Sequence, residues 1–203
     1  MNVYLMRHGE TEYNVARLVQ GACDSPLTKN GLRQAENAAR RLRDIPFAAA
    51  YASPLKRAMD TAKIVAAPHK GLCITEEESL REFSFGIYET HNLDGLKDEC
   101  PGVWETFIKK TPSRLTTPGG DCTLARVAES KRFTDKLIKE HFGENVLCVS
   151  HGFGISFFLA AALGIPLESA RCFASGNTAL TILQYKTPTE PCVRVFGDIS
   201  HNE

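Results

Sequence analysis

The fold is decided by two stretches that share one pattern, VYLMRHG at residues 3–9 and VLCVSHG at residues 146–152. In each, a short apolar run leads to a polar residue, a histidine and a glycine. Short apolar runs rich in Val, Leu and Tyr that end near glycine are typical of buried strands. In open α/β sheets, ligands bind outside the carboxyl ends of such strands. The two stretches therefore predict a site with two imidazoles, and Arg7 beside His8 indicates an anionic ligand.

The rest of the chain alternates strand and helix signals, which favours a layered α/β fold with a largely parallel sheet. Thr28 is a candidate N-cap for a helix whose apolar stripe begins at Leu32. Ser53 and Pro54 predict an N-cap and first helical position for a helix to about residue 67. The other elements expected are strands at 47–52, 72–75, 145–150, 178–185 and 192–197, and helices at 122–142 and 152–163.

The composition of the chain argues against several classes of partner and of site. The 203 residues carry 24 Lys and Arg against 24 Asp and Glu, so the formal net charge is +0. Nucleic acids and anionic membranes usually need a basic face, so neither is expected as a partner. No run is long and apolar enough to span a membrane. The seven cysteines are scattered without metal-ligand spacing, which favours reduced thiols, no metal site and a cytoplasmic location.

Two irregular segments stand out. The polar loop at residues 8–27 is too long for a simple connection and is therefore expected to be functional. Glycine and proline interrupt residues 80–120, so we expect an excursion over the sheet edge, with two short helices, that forms a lid. The chain as a whole, residues 1–203, is interpreted as a single domain.

Six motifs occur in order along nearly the whole chain: RHGETEYN (7–14), GACDSPLTKNGLRQA (21–35), SPLKRAMDTA (53–62), LREFSFG (80–86), PGG (118–120) and VSHG (149–152). Together they closely resemble the histidine phosphatase superfamily, which includes the cofactor-dependent phosphoglycerate mutases. The resemblance implies a three-layer α/β/α sandwich whose sheet is mostly parallel, with one antiparallel strand. It implies a phosphatase that takes small phosphorylated metabolites and releases inorganic phosphate through a phosphohistidine, without metal or other cofactor.

The residues themselves suit phosphoryl transfer, which needs a nucleophile, positive charge on the phosphoryl oxygens and a proton for the leaving alcohol. His8 would attack as a neutral imidazole, since the cations Arg7 and Arg57 disfavour its protonation. Both guanidinium groups can bind phosphate oxygens in bidentate fashion. His151 would donate a hydrogen bond to the same phosphoryl group, although a purely structural histidine is the alternative there.

Glu82 is the candidate general acid and base, and its aromatic neighbours in sequence would raise its pKa by apolar burial. Glu10 and Glu89 are rivals that the residues alone do not exclude, and the resemblance selects Glu82. By the same resemblance, the side-chain amides of Asn14 and Gln20 contact the phosphate or its ester oxygen. The glycines Gly21 and Gly152 complete the predicted substrate-binding set.

The chain departs from the family at Thr90, where many members have glycine, and at Asp121-Cys122, where Glu-Ser is frequent. The lid is short and poor in basic residues, which disfavours the first alternative function, a phosphoglycerate mutase. The second alternative is an inactive binding or regulatory module, which the full set of five catalytic candidates argues against. α-Ribazole phosphate, sugar phosphates, phosphoserine and phosphoglycerate all remain possible substrates, and the oligomeric state is open.

Overall fold

The computed structural model describes residues 1–99 and 116–203, so part of the predicted lid, residues 100–115, lies outside the description. The strands are β1 Asn2–Arg7, β2 Phe47–Ala52, β3 Ile74–Glu76, β4 Asn145–Ser150, β5 Leu180–Tyr185 and β6 Pro191–Asp198. The α-helices are α1 Glu12–Val15, α2 Lys29–Leu42, α3 Lys56–Ala66, α4 Leu93–Glu99, α5 Thr123–His141 and α6 Gly152–Leu163. Short 3₁₀ turns occupy Glu78–Leu80, Gly86–Tyr88, Leu167–Phe173 and Ser200–Asn202.

In the described part of the chain, the strands form one six-stranded sheet in the order β3-β2-β4-β1-β5-β6. Strands β3, β2, β4 and β1 run parallel, and β5 is antiparallel to both of its neighbours, β1 and β6. The predicted sheet with one antiparallel strand is therefore confirmed. Because β1 and β4 lie side by side and in register, their two histidines leave the sheet at the same edge.

Helices cover both faces of the sheet and give the three layers. On one face, Ala38 and Leu42 of α2 and Ala62 of α3 pack against β2 and β4. On the other face, Leu137 of α5 and Phe158 of α6 pack against β1 and β4. The strands between these layers are buried on both faces, which is why they read as continuous apolar runs rather than alternating ones.

Two local predictions need correction. The helix α2 is capped as expected, with Thr28 Oγ1 accepting the Gly31 N–H at 2.9 Å, but Leu32 is 42% exposed and lies outside the buried stripe. The prediction for Ser53 was wrong: α3 begins at Lys56, and Leu55 is its N-cap residue without a side-chain bond. The Ser53 side chain instead contacts His151, which follows β4. Among the described residues, none of the helices is long and apolar enough to cross a membrane.

Candidate active site

The carboxyl ends of β1, β2 and β4 surround a cavity of about 340 Å³. Backbone bonds fix the segments that follow these strands: the His8 N–H donates to Ser150 O at 2.9 Å, and the Ser53 N–H donates to Val149 O at 3.0 Å. Eight of the nine predicted site residues line the cavity, namely Arg7, His8, Asn14, Gln20, Gly21, Arg57, Glu82 and Gly152. The ninth, His151, is fully buried beneath them.

His8 is 2% exposed, and its Nδ1 lies 2.7 Å from the Gly9 carbonyl oxygen. A carbonyl only accepts, so Nδ1 carries the proton and Nε2 keeps its lone pair. Burial and then the Arg7 and Arg57 charges lower the pKa of His8 well below its usual range, against the opposing effect of the Gly9 bond. The imidazole is therefore neutral at physiological pH and holds a nucleophilic nitrogen.

Arg57 reaches the site from the first turn of α3 and is 1% exposed. Its terminal nitrogens donate to the carbonyl oxygens of Cys23 at 2.7 Å and Gly21 at 2.8 Å. Its Nε is buried and has no hydrogen-bond partner among the described residues. The loop after residue 20 thus holds the guanidinium in place and leaves its Nε N–H available to an anion. Arg7 is anchored in a similar way, by donation from Nη1 to Ser175 O at 2.6 Å.

The ring of His151 lies 5.1 Å from that of His8, centroid to centroid. Its Nε2 is 2.7 Å from Ser53 Oγ, and its Nδ1 is buried without a hydrogen-bond partner in the described part of the chain. Burial, followed by the Arg57 charge, lowers the pKa of His151 well below its usual range. This histidine is therefore also neutral.

Glu82 is held at the N-terminus of α6. Its Oε1 accepts the backbone N–H groups of Phe83 at 2.9 Å, Phe153 at 3.1 Å and Gly154 at 3.2 Å. The neighbouring phenylalanines predicted an apolar environment for this carboxyl group, but three backbone N–H groups bind it instead. Gly152 separates the carboxylate from Arg7, since a Cβ on this glycine would lie 3.7 Å from Glu82 Oε2 and 3.9 Å from the guanidinium.

Neither rival carboxylate lines the cavity. Glu10 accepts from the Thr28 hydroxyl at 2.7 Å and the Asn30 amide at 3.2 Å, and so supports the start of α2. Burial would raise the pKa of Glu89, but bonds from the Ala22 N–H, the Cys23 thiol, the Ser84 hydroxyl and the Phe85 N–H outweigh it and lower the pKa. Glu89 is therefore an ionised, fully bonded residue of the framework.

The predicted amides also lie at the cavity. Asn14 Oδ1 accepts from the Thr11 N–H and from Asn177 Nδ2, each at 3.1 Å. Gln20 donates from Nε2 to Thr11 Oγ1 at 2.8 Å, while its Oε1 is buried without a partner among the described residues. Gly21 has φ of +54°, and a Cβ there would lie 2.2 Å from Glu89 Oε1. The left-handed φ and the Glu89 carboxylate held beside it both favour glycine at this position.

Sequence reasoning missed several supporting residues. Asn177 donates to the His8 carbonyl oxygen at 3.1 Å, and Thr61 Oγ1 accepts the Gly9 N–H at 3.0 Å. Asn177 stands alone between loop residues and gave no signal, whereas Thr61 follows Arg57 by one helical turn and could have been noticed. Ser53 was predicted as a helix N-cap, whereas its hydroxyl contacts His151.

The mouth of the cavity is mainly apolar, with walls from Leu18, Val19, Phe85, Tyr88, Leu93, Leu96 and Phe153. Arg17 is the one cation that lines the described cavity besides Arg7 and Arg57. Its side chain is 60% exposed and paired with Asp94 through bonds of 2.9 and 2.8 Å. Among the described residues that line it, the outer cavity therefore has little unpaired positive charge.

The family departures lie near this mouth. Thr90 adopts φ of +68°, the left-handed region that favours the glycine of other members, and its N–H donates to Val19 O at 2.8 Å. Asp121 accepts the Ser84 N–H at 2.8 Å, and Cys122 is the N-cap residue of α5. In residues 1–99 and 116–203, no group of three or more His, Cys, Asp and Glu side chains is arranged to hold a metal.

Comparison with known proteins decides the family, because the model of the histidine phosphatase superfamily (branch 1) matches residues 3–197. The chain belongs to this superfamily. It is 33% identical over 205 residues to a protein of Enterobacter sp. (strain 638) named probable phosphoglycerate mutase GpmB, with 99% of this chain and 94% of that protein aligned.

Two solved histidine-phosphatase-fold structures resemble the chain closely. Bacillus stearothermophilus YhfR superposes with a TM-score of 0.89 at 33% identity, covering 100% of this chain and 99% of that one. A mutant phosphoserine phosphatase from Entamoeba histolytica, in complex with phosphoserine, superposes with a TM-score of 0.85 at 27% identity and covers 98% of both chains. The relatives of this superfamily member thus include proteins named as a mutase and as a phosphatase.

Proposed function

We propose that this protein is a phosphomonoester phosphatase that hydrolyses small phosphorylated metabolites through a phosphohistidine at His8. The observation that carries the proposal is the state of His8. Its Nδ1 is committed to the Gly9 carbonyl, its pKa is lowered, and Nε2 is left as a free nucleophile beside two arginines. A structural histidine would have no need of two arginine cations, one of them fully buried, beside a neutral ring.

In the first step, His8 Nε2 attacks phosphorus and the bond from phosphorus to the ester oxygen breaks. Arg57 Nε and the Arg7 guanidinium bind the phosphoryl oxygens, whose charge spreads in the transition state. The leaving oxygen takes a proton from Glu82, the carboxyl group that lines the cavity between Phe83 and α6. Phosphate is then bonded to nitrogen and the alcohol is free.

In the second step, a water molecule attacks the phosphorus of phosphohistidine from the side that the alcohol vacated. Glu82 accepts the water proton, the bond between phosphorus and nitrogen breaks, and His8 returns to its neutral form with inorganic phosphate released. The same carboxyl group acts first as acid and then as base, so the enzyme is restored in each cycle. In this mechanism the arginines supply the positive charge, and no metal takes part.

The apolar mouth supports a leaving group that is uncharged, at least where it meets Phe85, Tyr88 and Leu93. It also supports hydrolysis over mutase activity, because a mutase must hold a second acidic group and Arg17 is already paired with Asp94. The names of the relatives keep phosphoserine among the candidate substrates and phosphoglycerate mutase as the alternative function. We further propose one domain located in the cytoplasm, with the described residues 80–99 of the predicted lid contributing to the wall of the site.

Quenched turnover with ³²P-labelled phosphomonoester tests the covalent step. The expected adduct is labile in acid, stable in base and absent from a His8→Ala variant. Acid-stable label, or undiminished activity in that variant, would contradict the mechanism. A turnover screen that includes 3-phosphoglycerate with a bisphosphoglycerate primer ranks the alternatives. Rapid phosphate release is expected, efficient primer-dependent isomerisation would favour a mutase, and no turnover with any ester would favour the inactive module.

A further inference from the structure

Ser53 is buried at the end of β2 and lies against a residue of the neighbouring strand end. It is 0% exposed, as is His151, and the two side chains meet with Oγ and Nε2 2.7 Å apart. The Ser53 N–H is bonded to Val149 O, two residues before His151. The backbone thus fixes Ser53 against β4, and the contact does not depend on a loop.

The hydrogen bonds of this pair select one tautomer of His151. Ser53 Oγ already accepts the Leu55 N–H at 3.2 Å. If His151 Nε2 carried the proton, Oγ would accept a second time, and its own hydrogen would have no acceptor in the described surroundings. An unsatisfied buried donor costs about 1–3 kcal/mol. If Ser53 donates to Nε2 instead, the hydroxyl and Nε2 are both satisfied, the imidazole proton moves to Nδ1, and this Nδ1–H is the one group of the pair left without a partner in the described surroundings. The other tautomer leaves two such groups, the hydroxyl hydrogen and the Nδ1 lone pair.

The Nδ1 atom of His151 is then the relevant one for the reaction. It is buried and has no hydrogen-bond partner among the described residues. The ring lies 5.1 Å from that of His8 and shares its two arginine neighbours. With Nδ1 protonated, the ring that lies 5.1 Å from His8 carries an unpartnered neutral donor, from which a phosphoryl group on His8 can accept. With Nδ1 bare, a lone pair would face the phosphoryl oxygens and repel them.

We propose that Ser53 is a positioning residue that holds His151 in the Nδ1–H tautomer, so that His151 donates a hydrogen bond to the phosphoryl group in its neutral form. The proposal rests on the proposed function, since it assigns His151 a role at phosphorylated His8. The arrangement replaces the carboxylate that orients a histidine in many enzymes by a neutral hydroxyl. It thereby keeps a further negative charge away from the phosphate.

The tautomer can be measured directly in the resting protein. ¹⁵N NMR of histidine-labelled enzyme should show His151 with a protonated Nδ1 and a bare Nε2, and the Ser53→Ala variant should lose this preference. A wild-type spectrum with the proton on Nε2 would overturn the proposal. This readout needs no turnover, so it separates failure of the tautomer assignment from failure of the proposed function.

Kinetics test the consequence for catalysis. Ser53→Ala should lower the rate of phosphoenzyme formation on the order of ten- to a hundredfold, and Ser53→Thr, which keeps the hydroxyl, should restore most of the rate. In a His151→Ala background, the same Ser53→Ala change should have almost no further effect. An equal loss in both backgrounds would mean that Ser53 has only a structural role, and would overturn the proposal.

A matched control removes another buried serine hydroxyl. Ser130 on α5 is 2% exposed and donates to the Arg126 carbonyl oxygen at 3.0 Å, without contacting the site. Ser130→Ala should lower the unfolding temperature to a similar extent as Ser53→Ala and leave the phosphorylation rate unchanged. A similar rate loss in both variants would attribute the effect to general destabilisation and would also overturn the proposal.

Discussion

Replacing Glu82 by glutamine removes a proton donor and leaves the shape of the site nearly unchanged. The amide oxygen can keep the three backbone bonds that Oε1 accepts from Phe83, Phe153 and Gly154 at 2.9–3.2 Å. The amide nitrogen then takes the place of Oε2 beside Gly152. Apart from the 3.3 Å bond that Oε2 accepts from the Phe153 N–H, which an amide nitrogen cannot replace, the perturbation is confined to the proton-transfer group.

The expected size depends on the leaving group. An alkyl alcohol leaves poorly as alkoxide and needs a proton in the transition state, so loss of the general acid should slow its departure by about 10²–10⁴-fold. Since each factor of ten corresponds to about 1.4 kcal/mol, the barrier should rise by about 3–5 kcal/mol. p-Nitrophenolate needs almost no proton, so phosphorylation of Glu82→Gln by p-nitrophenyl phosphate should be slowed far less.

The assay is the pre-steady-state burst, measured by rapid quench for an alkyl phosphate and for p-nitrophenyl phosphate. Steady-state turnover is less informative, because Glu82 also activates the water of the second step. Glu89→Gln is the matched control, because the Glu89 carboxylate is hydrogen-bonded to Ala22, Ser84 and Phe85 and does not line the cavity. This variant should be less stable, and its burst rate should fall by the same factor for both substrates. Equal loss of burst rate for both substrates in Glu82→Gln would refute the general-acid assignment.

Three further outcomes are expected. Thr90→Gly should stabilise the protein by about 1 kcal/mol in urea unfolding, because a β-branched residue is strained at φ of +68°; an unchanged midpoint would show that the strain is absent. The depressed pKa values of His8 and His151 mean that the unfolded chain binds more protons below about pH 6.5. The contribution of the two neutral histidines to the free energy of unfolding should be fully present above that pH. It should fall as the pH drops, by up to about 1.4 kcal/mol per pH unit for each histidine, and His8→Ala should make the free energy of unfolding depend less steeply on pH. Exhaustive chelation should leave activity unchanged, since Arg7 and Arg57 supply the positive charge, and recovery of lost activity by added Mg²⁺ would contradict this.

The elements of the fold were largely predictable because the core strands are continuous apolar runs. β2 and β4 were predicted with the bounds observed, and α6 was as well. The start of α3 was misplaced because local sequence favours Ser53 as a cap, whereas tertiary contact with His151 takes its side chain away. Leu32 was misplaced for a related reason, since helical periodicity does not show how far the sheet extends beneath a helix.

The candidate site also has a part that could be predicted from the sequence and a part that could not. His8, Arg7, Arg57 and His151 were predictable because strand ends and motifs place them. The contacts of Glu82 were not, because two of the three N–H groups that Oε1 accepts come from a helix about seventy residues further along the chain. The mouth of the cavity was also not predictable, since the side chains that face it depend on how the segment after Glu82 packs against α6.

The Glu89 carboxylate has a consequence for how this protein can change over evolution. It accepts from the Ala22 N–H and the Cys23 thiol, in the segment whose Gly21 and Cys23 carbonyls hold Arg57. It also accepts from the Ser84 hydroxyl and the Phe85 N–H, in the segment that follows Glu82. The phosphate-binding half and the proton-transfer half of the site are thus coupled through one side chain that does not line the substrate cavity. Substitutions among the apolar residues of the mouth can therefore adapt the protein to new substrates without disturbing the alignment of the reacting groups. This holds as long as Glu89 and Gly21, which lies against its carboxylate, are retained.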